Sequence, residues 1–421
     1  MQRGTVAMKP QGILSQSLRI AVAAATWCSA IAAPPAMHAA TFGSDAAFLE
    51  QHTPIIVLSN RTGTARLALA PAWQGRVMTS SATGDAGLSY GWINRDLIAS
   101  GKPQPHINVF GGEDRFWLGP EGGQFSIFFA PGARFELADW QTPAAIDTMA
   151  YTVTAHGPSS ATFQAAFSLT NYSGTALEIG VERQIRLLPD ATAWGRLGVK
   201  PIPGVGVVAY ESVNTIRNAG KQAWRKETGL VSIWILGMFN HSPATTIVVP
   251  IKPGPEAELG VKVTSDYFGV VPADRLVIHE SAVFFKGDGQ YRSKIGINPR
   301  RSKAILGSYD AVNQVLTVLE FSQPEGVVDY VNSLWKIQEH PFAGDACNSY
   351  NDGPPSPGAK PLGPFYEMES SSPAAALAPG RTLSHLHRTM HLSGDEAALD
   401  QVARAVLGVS LAEIQGAFAG R

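Results

Sequence analysis

Residues 365–392 read FYEMESSSPAAALAPGRTLSHLHRTMHL and hold the densest run of ionisable groups in the chain. Glu367 and Glu369 stand one residue apart, and after the Pro379-Gly380 break come His385, His387, Arg388 and His391. Only 16% of the 421 residues are charged, so such a cluster calls for a reason. Strand side chains repeat every two residues, so a strand over 365–369 puts both glutamates on one face and Tyr366 with Met368 on the other. A second strand over 383–392 gathers His385, His387, Thr389 and His391 opposite Leu386, Arg388, Met390 and Leu392. If the two strands are antiparallel neighbours, Glu-x-Glu meets His-x-His. A carboxylate beside imidazoles suits general acid–base catalysis, and two histidines with Glu369 or His391 also suit a divalent transition metal. Glu369, Glu367, His385 and His387 are therefore the catalytic candidates, and a divalent metal is the one cofactor the pattern admits. The plainer alternative is a half-exposed sheet with its polar face in water.

A second cluster is HINVFGGEDRFWLGPEGGQFSIFF, residues 106–129. Gly111-Gly112 lets the backbone turn tightly, after which Asp114 and Arg115 present charge beside Trp117, with His106 just upstream. Aromatic faces cover apolar ring faces and charged forks bind hydroxyls or carboxylates, so this mixture points to a carbohydrate ligand. Further on, NSYNDGPPSPGAKPLGP at 348–364 is rich in Gly, Pro and Asn and is expected to form a long loop. Its Asn348, Tyr350, Asn351 and Asp352 offer hydrogen bonds for a rim over the same pocket.

The elements that must position these groups are mostly strands. With 42 Gly and 29 Pro spread along the chain, turns are frequent and strands short. Apolar or alternating runs such as ARLALAPA, QFSIFFA, ALEIGVERQIRLL, LVSIWILGMF, LGVKVTSDYFG and QVLTVLEFS are each bounded by turn residues. Helix is expected at about 325–338 and 394–419, the latter opened by Ser393-Gly394-Asp395-Glu396. The expected fold class is all-β, a single domain over 41–421 with a C-terminal helix. Walker-type loops, dinucleotide fingerprints, Gly-x-Ser-x-Gly elbows and Cys-x-x-Cys pairs are all missing. The net charge of −1 and scattered basic residues argue against nucleic acid. The pattern does not specify an oligomeric state.

The early Gly-Gly followed by Arg115 and Trp117, the late Glu-x-Glu with Pro373 nearby, the Pro-Gly before the last strands, and APAWQGRVMTS together resemble the galactose mutarotase-like (aldose 1-epimerase) superfamily. The chain is similar, more closely, to an exported bacterial family of unknown function within that group. The resemblance implies a large antiparallel β-supersandwich, a late glutamate acting as base on the anomeric hydroxyl, and a sugar-binding arginine. Glu369 best matches that base, Glu367 second, and Arg115 matches the arginine. The superfamily's central Asn-His-x-Tyr-Phe-Asn motif is absent, which leaves the general acid among His385, His387, Tyr210, Glu211 and His241. A metal-dependent lyase or hydrolase and a non-catalytic sugar-binding protein remain the alternatives.

Residues 1–40 carry Arg3, Lys9 and Arg19 ahead of an apolar, alanine-rich run from Ile20 to Ala33, with Ala30-Ile31-Ala32 fitting a small-x-small cleavage site. This pattern predicts a signal peptide, a periplasmic or secreted protein, and no membrane insertion after cleavage. Cys28 falls inside it, so Cys347 alone survives in the mature chain and no intramolecular disulfide forms. Intact-mass analysis of protein recovered from a bacterial periplasm is expected to place the mature N-terminus between residues 33 and 41. Recovery of the full-length mass, still membrane-bound, would contradict export.

Overall fold

The computed structural model describes residues 40–356 and 358–420; the expected leader lies outside them. The described residues cluster as one compact unit. Three antiparallel sheets of ten, five and three strands dominate, as the frequent turns and alternating runs imply. The five-stranded sheet carries the candidate site. Its order is Ser293–Ile297, Cys347–Asn351, Tyr366–Ser371, Ser232–Phe239 and Arg115–Gly119. Every residue of these five strands is buried, because the sheet is covered on both faces. That is why SIWILGMF reads as a near-continuous apolar run rather than an alternation.

One face of this sheet packs on the ten-stranded sheet through Phe116, Leu118, Ile233 and Ile235 on one side and Phe163, Ile179, Val208 and Ile216 on the other. At an average of ~2 kcal/mol for each large apolar side chain removed from water, this layer is a principal source of stability. The outer face of the ten-stranded sheet is sealed by helices Asp190–Leu197, Glu396–Leu407 and Leu411–Gly416, whose Trp194, Leu399, Val402 and Ile414 meet Val248, Phe284 and Met390. The expected C-terminal helix is thus two helices, broken at Gly408 in the left-handed conformation and restarted by a Ser410–Glu413 capping box.

Three expectations are overturned. Residues 325–338 form no helix: Tyr330 and Asn332 donate their N–H groups to Phe342 and Pro341, and Gly326 has a positive φ, so β-branched Val327 and Val328 are left partly exposed. The runs at 124–130 and 259–269 are not strands either. Ile127, Phe128 and Phe129 are nonetheless buried, which explains the apolar pattern that mimicked a strand. Helix also occurs where none was expected, notably Phe42–His52, with a Thr41–Ser44 capping box, and Arg95–Ser100. No described helix is long and apolar enough to cross a membrane.

Candidate functional site

The second face of the five-stranded sheet is the floor of a cavity of about 660 Å³. Alternation sends Arg115 and Trp117 from one strand, Trp234, Leu236 and Met238 from the next, then Glu367, Tyr350 and Lys294 to this face. Two buried ion pairs run across it. Arg115 stands opposite Leu236, which stands opposite Glu369, yet the guanidinium reaches diagonally to Glu367. Lys294 stands opposite Tyr350, which stands opposite Glu367, yet its Nζ reaches diagonally to Glu369 Oε2 at 3.0 Å. Each cation therefore skips one strand and binds the carboxylate of the other row, a diagonal reach open to long side chains. Glu369 Oε2 also accepts from Trp234 Nε1 at 2.8 Å. Lys294 Nζ lies 4.6 Å from the Trp234 ring centroid and Arg115 lies 5.1 Å from that of Trp117, so both cations rest on indole faces.

The walls come from segments of little regular structure. Helix Arg95–Ser100 supplies Asp96 and Leu97, and the chain that follows supplies His106, Ile107 and Val109. Gly111 and Gly112 turn that chain into the floor strand with φ of 93° and 109°; a Cβ on Gly111 would meet the Trp92 carbonyl oxygen at 2.1 Å. Trp140 and Trp335, stacked with centroids 5.9 Å apart, form another wall, and Glu121 enters beside them. The loop after Asn351 contributes Asp352, Pro355, Lys360, Pro361 and Leu362. Asp352 is held by the Tyr350 hydroxyl at 2.6 Å and the Gly363 N–H at 2.8 Å.

The structure gathers Arg115, Trp117, His106, Tyr350, Asp352 and Glu367 around one cavity. Glu369 lies under that surface, fully buried behind Lys294 and Trp234. His385 and His387 are elsewhere. Strand Thr382–Ser393 belongs to the ten-stranded sheet, between Gly206–Asn218 and Val315–Phe321, and does not pair with Tyr366–Ser371. Both imidazoles face the other side of the Glu-x-Glu strand, where Ser370 Oγ lies 2.8 Å from His385 Nε2 and from His387 Nδ1. The expected meeting of Glu-x-Glu with His-x-His is thus overturned by the same alternation that suggested it. The proposed metal set fails for that reason, since Glu369 points away from the histidines and His391 is held by Glu113 at 3.0 Å and Thr317 at 2.9 Å. Among the described residues no group of three His, Cys, Asp or Glu side chains is placed to hold a metal ion.

Asp114 also leaves the expected site: one residue before Arg115, it turns inward and pairs with the fully buried Arg183 at 2.5 Å. Asn348, Tyr350 and Asn351 are strand residues rather than loop. Asn351 turns inward to Gly289 and Asp288, and Asn348 bonds the Tyr267 hydroxyl at 3.1 Å outside the cavity lining. The remaining candidates for the acid are excluded by position. Tyr210 is bound to Glu113 in the core, Glu211 pairs with Arg186 and Arg388 on the opposite face of the ten-stranded sheet, and His241 is not among the lining residues. The sequence reading missed Lys294, Trp234, Glu121, Trp140, Trp335 and Arg292. The signals available were a lysine inside the apolar strand SKIGI and tryptophans inside or beside apolar runs.

A family model described as a family of unknown function, DUF6786, matches residues 40–418, almost the whole described chain. The chain belongs to that family. Among curated proteins none matches this DUF6786 member. Solved structures similar to it include a galactose mutarotase-like protein from Lactobacillus casei, at 11% identity and a TM-score of 0.47, covering 80% of this chain and 100% of that one. A Synechocystis protein shares 13% identity at a TM-score of 0.46, over 82% and 96% of the two chains. A galactose mutarotase related enzyme from Lactobacillus acidophilus shares 9% at 0.43, over 81% and 97%.

Burial governs the charges of this DUF6786 site. It pushes the Glu367 carboxyl above the ordinary range against the pull of Arg115, and neighbouring Glu369 adds to the rise. It pushes Glu121 up to about 6, with Lys294 opposing and Glu369 adding. Burial pulls Lys294 down, but Glu369, Glu121 and Glu367 outweigh it and hold the ammonium above its usual value. Removing one partner of a buried pair strands the other charge, so Lys294→Met is expected to cost about 3–5 kcal/mol in urea unfolding. The double variant Lys294→Met/Glu369→Leu is expected to cost less than the single. A double variant no more stable than the single would show that the stranded carboxylate is not the cause.

Burial also pulls His385 down to about 3, with His387 adding, and His387 down to about 4, where Asp114 opposes and Arg183 adds. Both stay neutral in the fold, whereas in the unfolded chain they protonate near 6.5. Their share of stability is therefore complete above about pH 6.5 and declines as pH falls toward 4, by at most about 1.4 kcal/mol per unit for each histidine. Urea midpoints between pH 7 and 5 should show a shallower decline in His387→Gln than in the unaltered protein; identical slopes would contradict this.

Proposed function

We propose that the protein is an exported carbohydrate-active protein whose cavity binds a sugar and acts on it by acid–base chemistry. The observation that carries this is a cavity floor where two carboxylate–cation pairs lie on indole faces, beneath a wall of stacked tryptophans. Indole faces suit the C–H faces of a sugar ring, while Arg115, Lys294 and the carboxylates suit its hydroxyls. The expected leader supports export.

Within this reading Glu367 and Glu121 are the reacting pair. Glu367 lines the cavity and is oriented by Arg115, the role the superfamily resemblance gave first to Glu369. Glu369 instead fixes Lys294 and Trp234 from beneath. Glu121 forms no ion pair among the described residues, so its carboxyl is free to give a proton, and its raised value keeps a large protonated fraction in mildly acidic solution. A non-catalytic sugar-binding role is the second reading, favoured by the engagement of both floor glutamates in ion pairs.

A thermal-shift screen with mono- and oligosaccharides, uronic acids included, is expected to raise the melting point by mass action. No shift with any sugar would sink the proposal. For a sugar that binds and is turned over, the rate should rise and then fall with pH, because Glu367 must lose its proton to act as base while Glu121 must keep its own to act as acid. Glu121→Gln should keep binding and lose turnover; full activity in that variant would remove Glu121 from the mechanism. Binding without turnover in the unaltered protein would decide for the second reading.

A further inference from the structure

The mouth of the cavity differs in chemistry from its floor. Leu137, Phe268 and Leu362 line it from three separate segments, and they are 56%, 39% and 47% exposed. Large apolar side chains left this open at the lip of a cavity are costly to hydrate and mark a contact surface. Phe268 is fixed in place by Arg292, whose guanidinium carbon lies 4.0 Å from its ring centroid. Less exposed, Leu97, Ile107 and Val109 continue the apolar lining toward the polar floor, while Pro355 and Pro361 add to the exposed rim. The cavity is thus charged and indole-faced at the bottom, while its opening combines this apolar surface with the exposed Asp96, Ser100, Gln104 and Lys360.

The apolar part of the opening discriminates among sugars. Leu137 and Leu362 neither hydrogen-bond nor offer a π face, so the hydroxyls of a further ring seated on them would be desolvated without compensation. The volume of about 660 Å³ lies within the range of sites that enclose drug-sized ligands. Resting on the sugar reading given above, we infer that the ligand is a glycoside with an apolar aglycone: the sugar seats on the Arg115–Glu367 and Lys294–Glu369 floor and an aryl or alkyl group lies against Leu137, Phe268 and Leu362.

The test is a matched series measured by isothermal titration on the purified protein: methyl, phenyl and hexyl β-D-glucopyranosides and the same three galactopyranosides. For a sugar that binds, the phenyl and hexyl glycosides are expected to bind about tenfold or more tighter than the methyl glycoside, the increment given by a few buried carbons. The variant Leu137→Ser/Leu362→Ser changes two exposed positions and is expected to bring that ratio below about threefold. Equal affinities across the series overturn the inference and leave the sugar reading standing. So does a ratio that persists in the double variant, or an unsubstituted oligosaccharide that binds more tightly than the hexyl glycoside. Absence of binding by every glycoside and every free sugar overturns both.

Discussion

Two acidic side chains on one strand buried on both faces are the constraint around which the site is arranged. Neither Glu367 nor Glu369 can give up water without a counter-charge, and each finds one only by a diagonal reach across an intervening strand. Arg115 and Lys294 are thereby drawn to fixed positions on either side of the strand Tyr366–Ser371. Their guanidinium and ammonium groups in turn lie over Trp117 and Trp234. The orientation of the cavity floor thus follows from satisfying two charges, and a shift of one residue in that strand would send both carboxylates into the opposite layer.

That opposite layer has its own polar content. Asp114 with Arg183, Glu113 with Tyr210 and His391, and Ser370 with His385 and His387 lie between the two large sheets, tied to one another rather than to a cavity. These hydrogen-bonded groups fix the mutual placement of the sheets, since each hydrogen bond demands one alignment. A histidine-rich strand therefore serves here to register two layers, and the neutral imidazoles of His385 and His387 are the consequence of deep burial.

The sequence made the strand character, the pairing of glutamates on one face and of histidines on another, and the Arg115–Trp117 contribution legible, because period-2 alternation is a local property. It left hidden which strands are neighbours. Tyr366–Ser371 and Thr382–Ser393 follow each other in the chain yet lie in different sheets, a long-range choice made by packing. Lys294 was equally hidden: a single lysine in SKIGI declares itself only when the sheet sets it near Glu369. The false helix at 325–338 and false strands at 124–130 and 259–269 share one cause, since segments that wrap a core or a cavity acquire apolar patterns without regular backbone pairing.

Floor and walls are also built by different means. The floor's register is fixed by backbone pairing in five strands, whereas much of the wall is irregular chain at 101–109, 120–142, 331–338, 352–356 and 358–365. Loop lengthening costs little closure entropy, only about 0.6 kcal/mol per doubling. Insertions or deletions in these connections can therefore reshape the opening while the ion-paired floor keeps its alignment. The architecture separates a floor locked by strand pairing from connections that are free to diversify, so that a single scaffold can be reshaped by editing only its loops.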